Sequence, residues 1–312
     1  MNKGSPNKNE RWRKIPKIEY YKAEAFLKLR EKYCVTASSR FLRMNPPLDP
    51  KGEAPLKEAR GHVWYLGNSK DEINALLLHC GHSLFPVFTS PEAGGFGLSP
   101  GGRIPGLRFL NRFLGKVHIH AVQGLREDAE LLESLMREQG YFASERIDYD
   151  LMSIDAPQQG RIVQAGSKFP NGLVLRTPKN EDRESLYALQ AAYEQEEVLP
   201  ENAVFNADAS RLNLEHILLR EHILVAELNG QVVGKINTSA ESFTRYQIGG
   251  VFVRPDCRDR GIGAKMTEVF VHGLLQTGKG ISLFVKKRNV AARTIYRKAG
   301  FSVLADYRIS YY

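Results

Sequence analysis

One run of fourteen residues constrains this fold more than any other: Val251-Phe252-Val253-Arg254-Pro255-Asp256-Cys257-Arg258-Asp259-Arg260-Gly261-Ile262-Gly263-Ala264. An apolar strand-like segment enters a charged turn containing proline. It then passes straight into a helix in which Met266, Val269, Phe270 and Leu274 share a face. A strand feeding a helix through so short a turn belongs to a sheet with helices on its faces, an α/β architecture. The helix mouth is an anion site by construction. Its first-turn amides have no intrahelical acceptor, and the helix dipole adds partial positive charge. Gly261 and Gly263 allow close approach to the backbone, and Arg258 and Arg260 add charge-assisted donors.

The remainder of the 312 residues is read around that run. This length gives a prior of two domains. Hydrophobic residues at 42% and charged residues at 25% exclude wholesale disorder and fibrous repeats. The longest apolar run, 73–88, is interrupted by His79, Cys80, His82 and Pro86, so no membrane span is expected. The first residues lack an apolar secretory core, and three scattered cysteines (Cys34, Cys80, Cys257) make no disulfide framework; a cytoplasmic location is expected. His79-Cys80-Gly81-His82 has no partner cluster at ligand spacing, so no metal is expected.

Periodicity predicts helices over 18–41, 71–80, 127–139, 181–194 (capped by Asn180), 261–276 and 289–299. It predicts strands over 62–66, 84–89, 117–122, 145–154, 173–176, 222–228, 231–239, 247–254, 281–285 and 301–311, with a Gly/Pro/Ser-rich loop over 90–106. Asn229-Gly230 marks a two-residue hairpin. A polar stretch at 155–172 reads as a linker, dividing the chain into domains at 1–154 and 173–312.

A second motif follows the anion turn. Asn289-x-x-Ala292-x-x-x-Tyr296-x-x-x-Gly300-Phe301 comes directly after the strand at 281–285. With Arg258-x-x-Gly261-x-Gly263, it resembles the GNAT N-acetyltransferase superfamily. That signature is Arg/Gln-x-x-Gly-x-Gly/Ala after the fourth strand, then a fifth strand and a helix carrying Asn, Tyr and a terminal Gly-Phe. The resemblance covers 173–312 in element order and is sharp over 247–301. It implies the GNAT acyl-CoA N-acyltransferase fold, a mixed sheet flanked by helices, with acetyl-CoA as co-substrate and no metal.

The resemblance also implies roles. The turn at Arg258 and Asp259 and the amides of Arg260, Gly261, Ile262, Gly263 and Ala264 would hold the pyrophosphate. Val251, Phe252 and Val253 would line the pantetheine arm, the two valines pairing with it through their backbone, and Asn289 would touch the same arm. Tyr296 would protonate the departing thiolate as general acid. Gly249-Gly250 suits the bulge that opens the slot. A primary amine would attack the acetyl carbonyl directly, while a fourth-strand amide holds the developing oxyanion. The amine must first lose a proton. Some members carry a Glu on the fourth strand for this; here Ile248-Gly249-Gly250 stands there, leaving Glu196, Glu197, Glu241 or a water chain.

The end of the first half echoes the end of the second. A shift of 160 residues lays Gly140 on Gly300, Tyr141 on Phe301, Met136 on Tyr296 and Ala129 on Asn289. Arg103-Ile104-Pro105-Gly106 is a partial echo of the anion turn. A degenerate, silent GNAT-like domain in tandem is one reading; an unrelated α/β domain is the other. Twelve Lys/Arg against four Glu in residues 1–43 carry almost all of the net charge of +9, which leaves open a basic arm for nucleic acid. An acyl-CoA-binding regulator without turnover is a further alternative. Acceptor identity and oligomeric state are not legible.

Overall fold

The structure is a computed structural model that describes residues 12–45, 61–67, 72–88, 113–156, 171–201 and 203–312. It divides into two units, 1–149 with 305–312, and 150–304. The expected boundary is therefore crossed twice. The end of the strand 145–154 belongs to the second unit, and the last eight residues belong to the first. Most of the expected linker lies outside the described residues, as do the loop 90–106 and the Arg103–Gly106 echo.

In the first unit, β1 (Trp12–Lys14), helices α1 (Tyr20–Arg30) and α2 (Val35–Met44), and strands β2 (Gly61–Gly67), β3 (Ile73–Cys80) and β4 (Ser83–Val87) precede β5 (Ala121–Leu125), α3 (Arg126–Glu138) and β6 (Glu145–Ile154). In the second unit, β7 (Leu173–Arg176), α4 (Arg183–Tyr193) and α5 (Ala207–Arg220) lead to β8 (Ile223–Leu228), β9 (Gln231–Glu241) and β10 (Arg245–Val253). There follow α6 (Ile262–Leu275), β11 (Gly280–Lys286), α7 (Val290–Lys298) and β12 (Ser302–Tyr311). The described elements run in the same order from β1 to β6 as from β7 to β12, except that α6, between β10 and β11, has no described counterpart between β4 and β5.

Three expectations are corrected. Residues 71–80 are not a helix: Ile73–Cys80 is a strand buried from Ala75 onward. Its unbroken apolar run is that of a strand covered on both faces, tied to β4 by a Gly81-His82 turn in which Gly81 has φ 60°. Residues 18–41 are not one helix. The chain leaves helical geometry at Cys34 (φ −140°, ψ 38°), whose thiol, not its amide, takes the Arg30 carbonyl at 3.2 Å. A helix not foreseen, α5, starts at Asn206, whose side chain accepts from the Ala209 amide. Asn180 does not cap α4; the Asp182 carboxylate accepts the Lys179 amide instead.

The second unit has strand order β12-β6-β11-β10-β9-β8-β7, and the first β1-β2-β3-β4-β5-β12-β6. In each, the strand beside the fifth is the terminal strand of the other half of the sequence. Tyr307–Tyr311 pair antiparallel with Leu125–Ala121, and Arg308 and Ser310 anchor that segment on Asp148 and Glu133. The core of the second unit forms between α6, α7 and the sheet, around Ile236, Ile248, Met266, Ile281, Leu283 and Tyr296.

Candidate active site

β10 and β11 run parallel and pair from Arg245↔Gly280 to Ile248↔Leu283, where pairing stops. On its other side, β10 pairs with β9 at Gly249↔Asn237 and resumes only at Phe252↔Lys235. Gly250, at φ 60°, makes this bulge, and a Cβ there would lie 2.7 Å from Lys235 Nζ. From Gly249 onward, β10 offers its backbone to the gap beside β11. An extended chain could pair there as an added strand.

At the end of β10 the turn closes on itself. Asp259 (φ 61°) and Gly261 (φ 76°) both take left-handed geometry, and the first bond of α6 runs from Lys265 N to Gly261 O. The amides of Ile262, Gly263 and Ala264 therefore have no helical acceptor. The arginines differ from expectation: Arg258 donates to Val253 O (3.0 Å) and Glu196 (2.8 Å), and Arg260 to Asp256 O (3.3 Å). Their side chains tie the turn together, and the amides of the helix mouth are the donors without a partner in the helix.

Tyr296 lies on α7, 7% exposed, edge-on to Phe301. Burial raises its hydroxyl above the ordinary tyrosine range, and Tyr193 and Glu197 push the same way. The chain after α4 continues as a π-helical turn, Glu194–Val198, which carries two of the three glutamates expected as bases, Glu196 and Glu197. Glu197 accepts from Asn289 Nδ2 at 3.1 Å and sits 3.4 Å from Lys286 Nζ. The other end of Asn289 caps Ala292 N, so this side chain holds α7 and Glu197 where a contact with the pantetheine arm was expected. Glu241 is placed apart from Glu196 and Glu197: it pairs with Lys279 at 2.7 Å and lies opposite Tyr246, about 10–13 Å along β10 from the bulge.

Two residues at the site escaped the sequence reading. Lys235 is fully buried in the middle of β9 and donates to Gly250 O at 3.0 Å and Asn237 Oδ1 at 2.8 Å. Burial lowers it to about 7, with Glu194 acting in the opposite sense. Tyr193, the last residue of α4, has its ring 5.0 Å from Lys235 Nζ and bonds the Gly250 backbone. A lysine in the middle of an apolar strand was the available signal.

The corresponding place in the first unit is closed. β4 and β5 pair in parallel only at Ser83↔Ala121 and Leu84↔Val122, the same early divergence. Yet a Cβ on Gly124 would lie 2.9 Å from Pro86 O, and Asp128 on α3 takes the Phe88 amide at 3.0 Å. Beside Pro86 and Gly124 remains a cavity of about 10 Å³, room for one water. Both halves end their last helix alike: Tyr141 N bonds Met136 O and Phe301 N bonds Tyr296 O, each at 3.0 Å. Met136 occupies the tyrosine position and has no proton to give. Among the described residues no group of three or more His, Cys, Asp or Glu could hold a metal, and no helix is long and apolar enough to cross a membrane.

Comparison with known proteins bears on this geometry. The family model described as "Acetyltransferase (GNAT) domain" matches residues 220–303. No curated protein matches the sequence. A Drosophila protein of known structure aligns over 97% of this chain and 99% of its own at 10% identity, with a TM-score of 0.65. A tandem GNAT protein from the clavulanic acid biosynthesis pathway aligns over 96% and 97% at 11% identity, with a TM-score of 0.57. A GCN5-related N-acetyltransferase from Sphaerobacter thermophilus aligns over 98% and 96% at 19% identity, with a TM-score of 0.54. At such identities the likeness speaks for fold. Residues 220–303 thus match the GNAT acetyltransferase domain model, within a chain whose fold is that of tandem GNAT proteins.

Proposed function

We propose that the second unit moves an acetyl group from acetyl-CoA to a primary amine by direct attack, and that the first unit is a silent copy. The observation that carries this reading is the gap where β10 leaves β11. It has three unpaired helix-mouth amides at one end and a buried tyrosine beside it.

In this reading the amides of Ile262, Gly263 and Ala264, with the turn 258–261, hold the pyrophosphate. The backbone of Val251 and Val253, with Phe252 between them, pairs with the pantetheine arm. The Val251 amide meets the acetyl oxygen. Glu197 takes the proton from the acceptor ammonium, and the freed amine forms the C–N bond as the C–S bond breaks. Tyr296 gives its proton to the departing sulfur, and the proton that the nitrogen sheds on becoming an amide restores the Tyr296 hydroxyl through solvent. Its raised pKa keeps that proton in place through the physiological range. Glu196 is ion-paired with Arg258 and is the weaker candidate for the base. Three free, buried cysteines accord with a reducing cytoplasm.

The test is calorimetric titration of acetyl-CoA into the whole protein and into Gly261→Asp, followed by an amine panel read by CoA release. Micromolar binding lost in the variant is expected. A folded wild-type protein that binds no acetyl-CoA overturns the reading. A second reading, an acyl-CoA sensor without turnover, is favoured by the absence of a carboxylate at Ile248-Gly249-Gly250. It predicts binding with no CoA released from any amine. The basic segment leaves a third, nucleic-acid binding; it predicts steep salt dependence lost on deleting residues 1–43, which also removes β1, α1 and most of α2.

A further inference from the structure

We infer that Lys235 is a positioning residue: its protonation sets the donor strength of the Val251 amide, through the peptide group that joins Gly250 to Val251. The inference rests on the reading of that amide as the donor to the acetyl oxygen.

Lys235 Nζ donates to the carbonyl of Gly250 at 3.0 Å. That carbonyl and the Val251 N–H are two ends of one conjugated group. No peptide bond among the described residues is cis, so the N–H points opposite to the C=O, away from Lys235. A cation on the oxygen draws electron density out of the amide nitrogen and makes its N–H a stronger donor, as in any hydrogen-bonded chain of low surrounding dielectric. Gly250 and Val251 have no Cα partner on either neighbouring strand among the described residues, so the bulge leaves this peptide to side chains.

The surroundings suit an ammonium. Its three hydrogens face the Gly250 oxygen (3.0 Å), Asn237 Oδ1 (2.8 Å) and the Tyr193 ring (5.0 Å). The titratable neighbours are Tyr193 and Glu194 at the end of α4; Tyr193 in turn feels Glu197 and interacts with Tyr296, and Glu197 pairs with Lys286 on β11. Lys235 has no exposed surface, so it is not placed to take a proton from an acceptor directly. Burial brings its titration to about 7, whereas Tyr296 is driven upward, out of that range. A loss of rate between pH 6.5 and 8.5 therefore belongs to Lys235, not to the general acid.

The experiment follows the Lys235 ¹³Cε and Val251 ¹H–¹⁵N resonances across that range in the whole wild-type protein without acetyl-CoA. Both are expected to titrate with one midpoint, the Val251 proton moving upfield as Lys235 loses its charge. In Lys235→Met the Val251 shift is expected to be flat. The variant should also lose the falling limb of kcat and, at pH 6.5, be about tenfold slower, with acetyl-CoA Kd within twofold. A Val251 amide that ignores the Lys235 titration overturns the inference. So does a Met variant that keeps the limb, or one whose Kd fails together with kcat. If Lys235→Met does not fold, the shared wild-type midpoint decides. If acetyl-CoA does not bind the wild-type protein, the proposed activity falls, and the resonances still decide whether lysine and amide are coupled.

Discussion

Tyr296 and Met136 accept the same backbone bond at the end of their helices, but only the tyrosine carries a hydroxyl group. Tyr296→Phe keeps the ring against Phe301 and removes only the proton. The expected result is a fall in kcat of about a hundredfold with acetyl-CoA affinity unchanged, read by steady-state kinetics and calorimetry. Gly250→Ala has a different cost. A methyl group would sit 2.1 Å from Asn237 Oδ1 on a backbone at φ 60°, so the variant should lose at least about 2 kcal/mol in chemical denaturation. Motif spacing singles out the glycine turn and Tyr296, and Glu197 stands out only as an acid after the first helix of the second half. Lys235 and Tyr193 were not legible, since only the bulge between two strands brings their side chains onto the backbone of one residue, Gly250. The ties of Arg258 and Asn289 were equally hidden: a sequence shows that a donor exists, not which acceptor it finds first.

At the scale of the element, the entry to α4 is clamped by a bidentate pair. Arg176 donates to Asp182 at 2.6 and 2.9 Å and reaches Glu227 at 2.8 Å, joining β7, β8 and the helix start. Arg176 holds the Asp182 carboxyl below the usual range, an effect opposed by burial and aided by the Lys179 amide. A depressed carboxyl contributes its stability in full above the unfolded value of about 3.9, and loses it as pH falls through the folded value. Asp182→Asn is therefore expected to cost about 1–3 kcal/mol at neutral pH and to flatten acid unfolding below pH of about 4, measured by denaturant titration at several pH values. Amphipathic helices and alternating strands such as α6 and β6 were readable, and so was the Asn229-Gly230 hairpin, whose residues sit at φ 51° and 81°. β3 was not, because a Leu-rich run buried on both sides has no period to distinguish strand from helix.

For the molecule as a whole, the doubling of the element series was visible as a 160-residue echo, while the exchange of terminal strands left no trace in the sequence. Residues 305–311 look like the last strand of the second half by every local measure, yet they complete the sheet of the first unit beside β5. Removing 305–312 takes away Tyr307, Arg308 and Ser310, and with them one partner each of Asp148 and Glu133. Hydrogen exchange on the truncated chain should show β5 and α3 losing protection. A fragment covering 1–154 alone should fail to unfold cooperatively. This arrangement also fixes an order of events during synthesis. A chain made from its N-terminus onward leaves β5 without this neighbour until residues 307–311 have been made. The unit that is translated first therefore waits, for one strand of its sheet, on a segment more than 180 positions downstream.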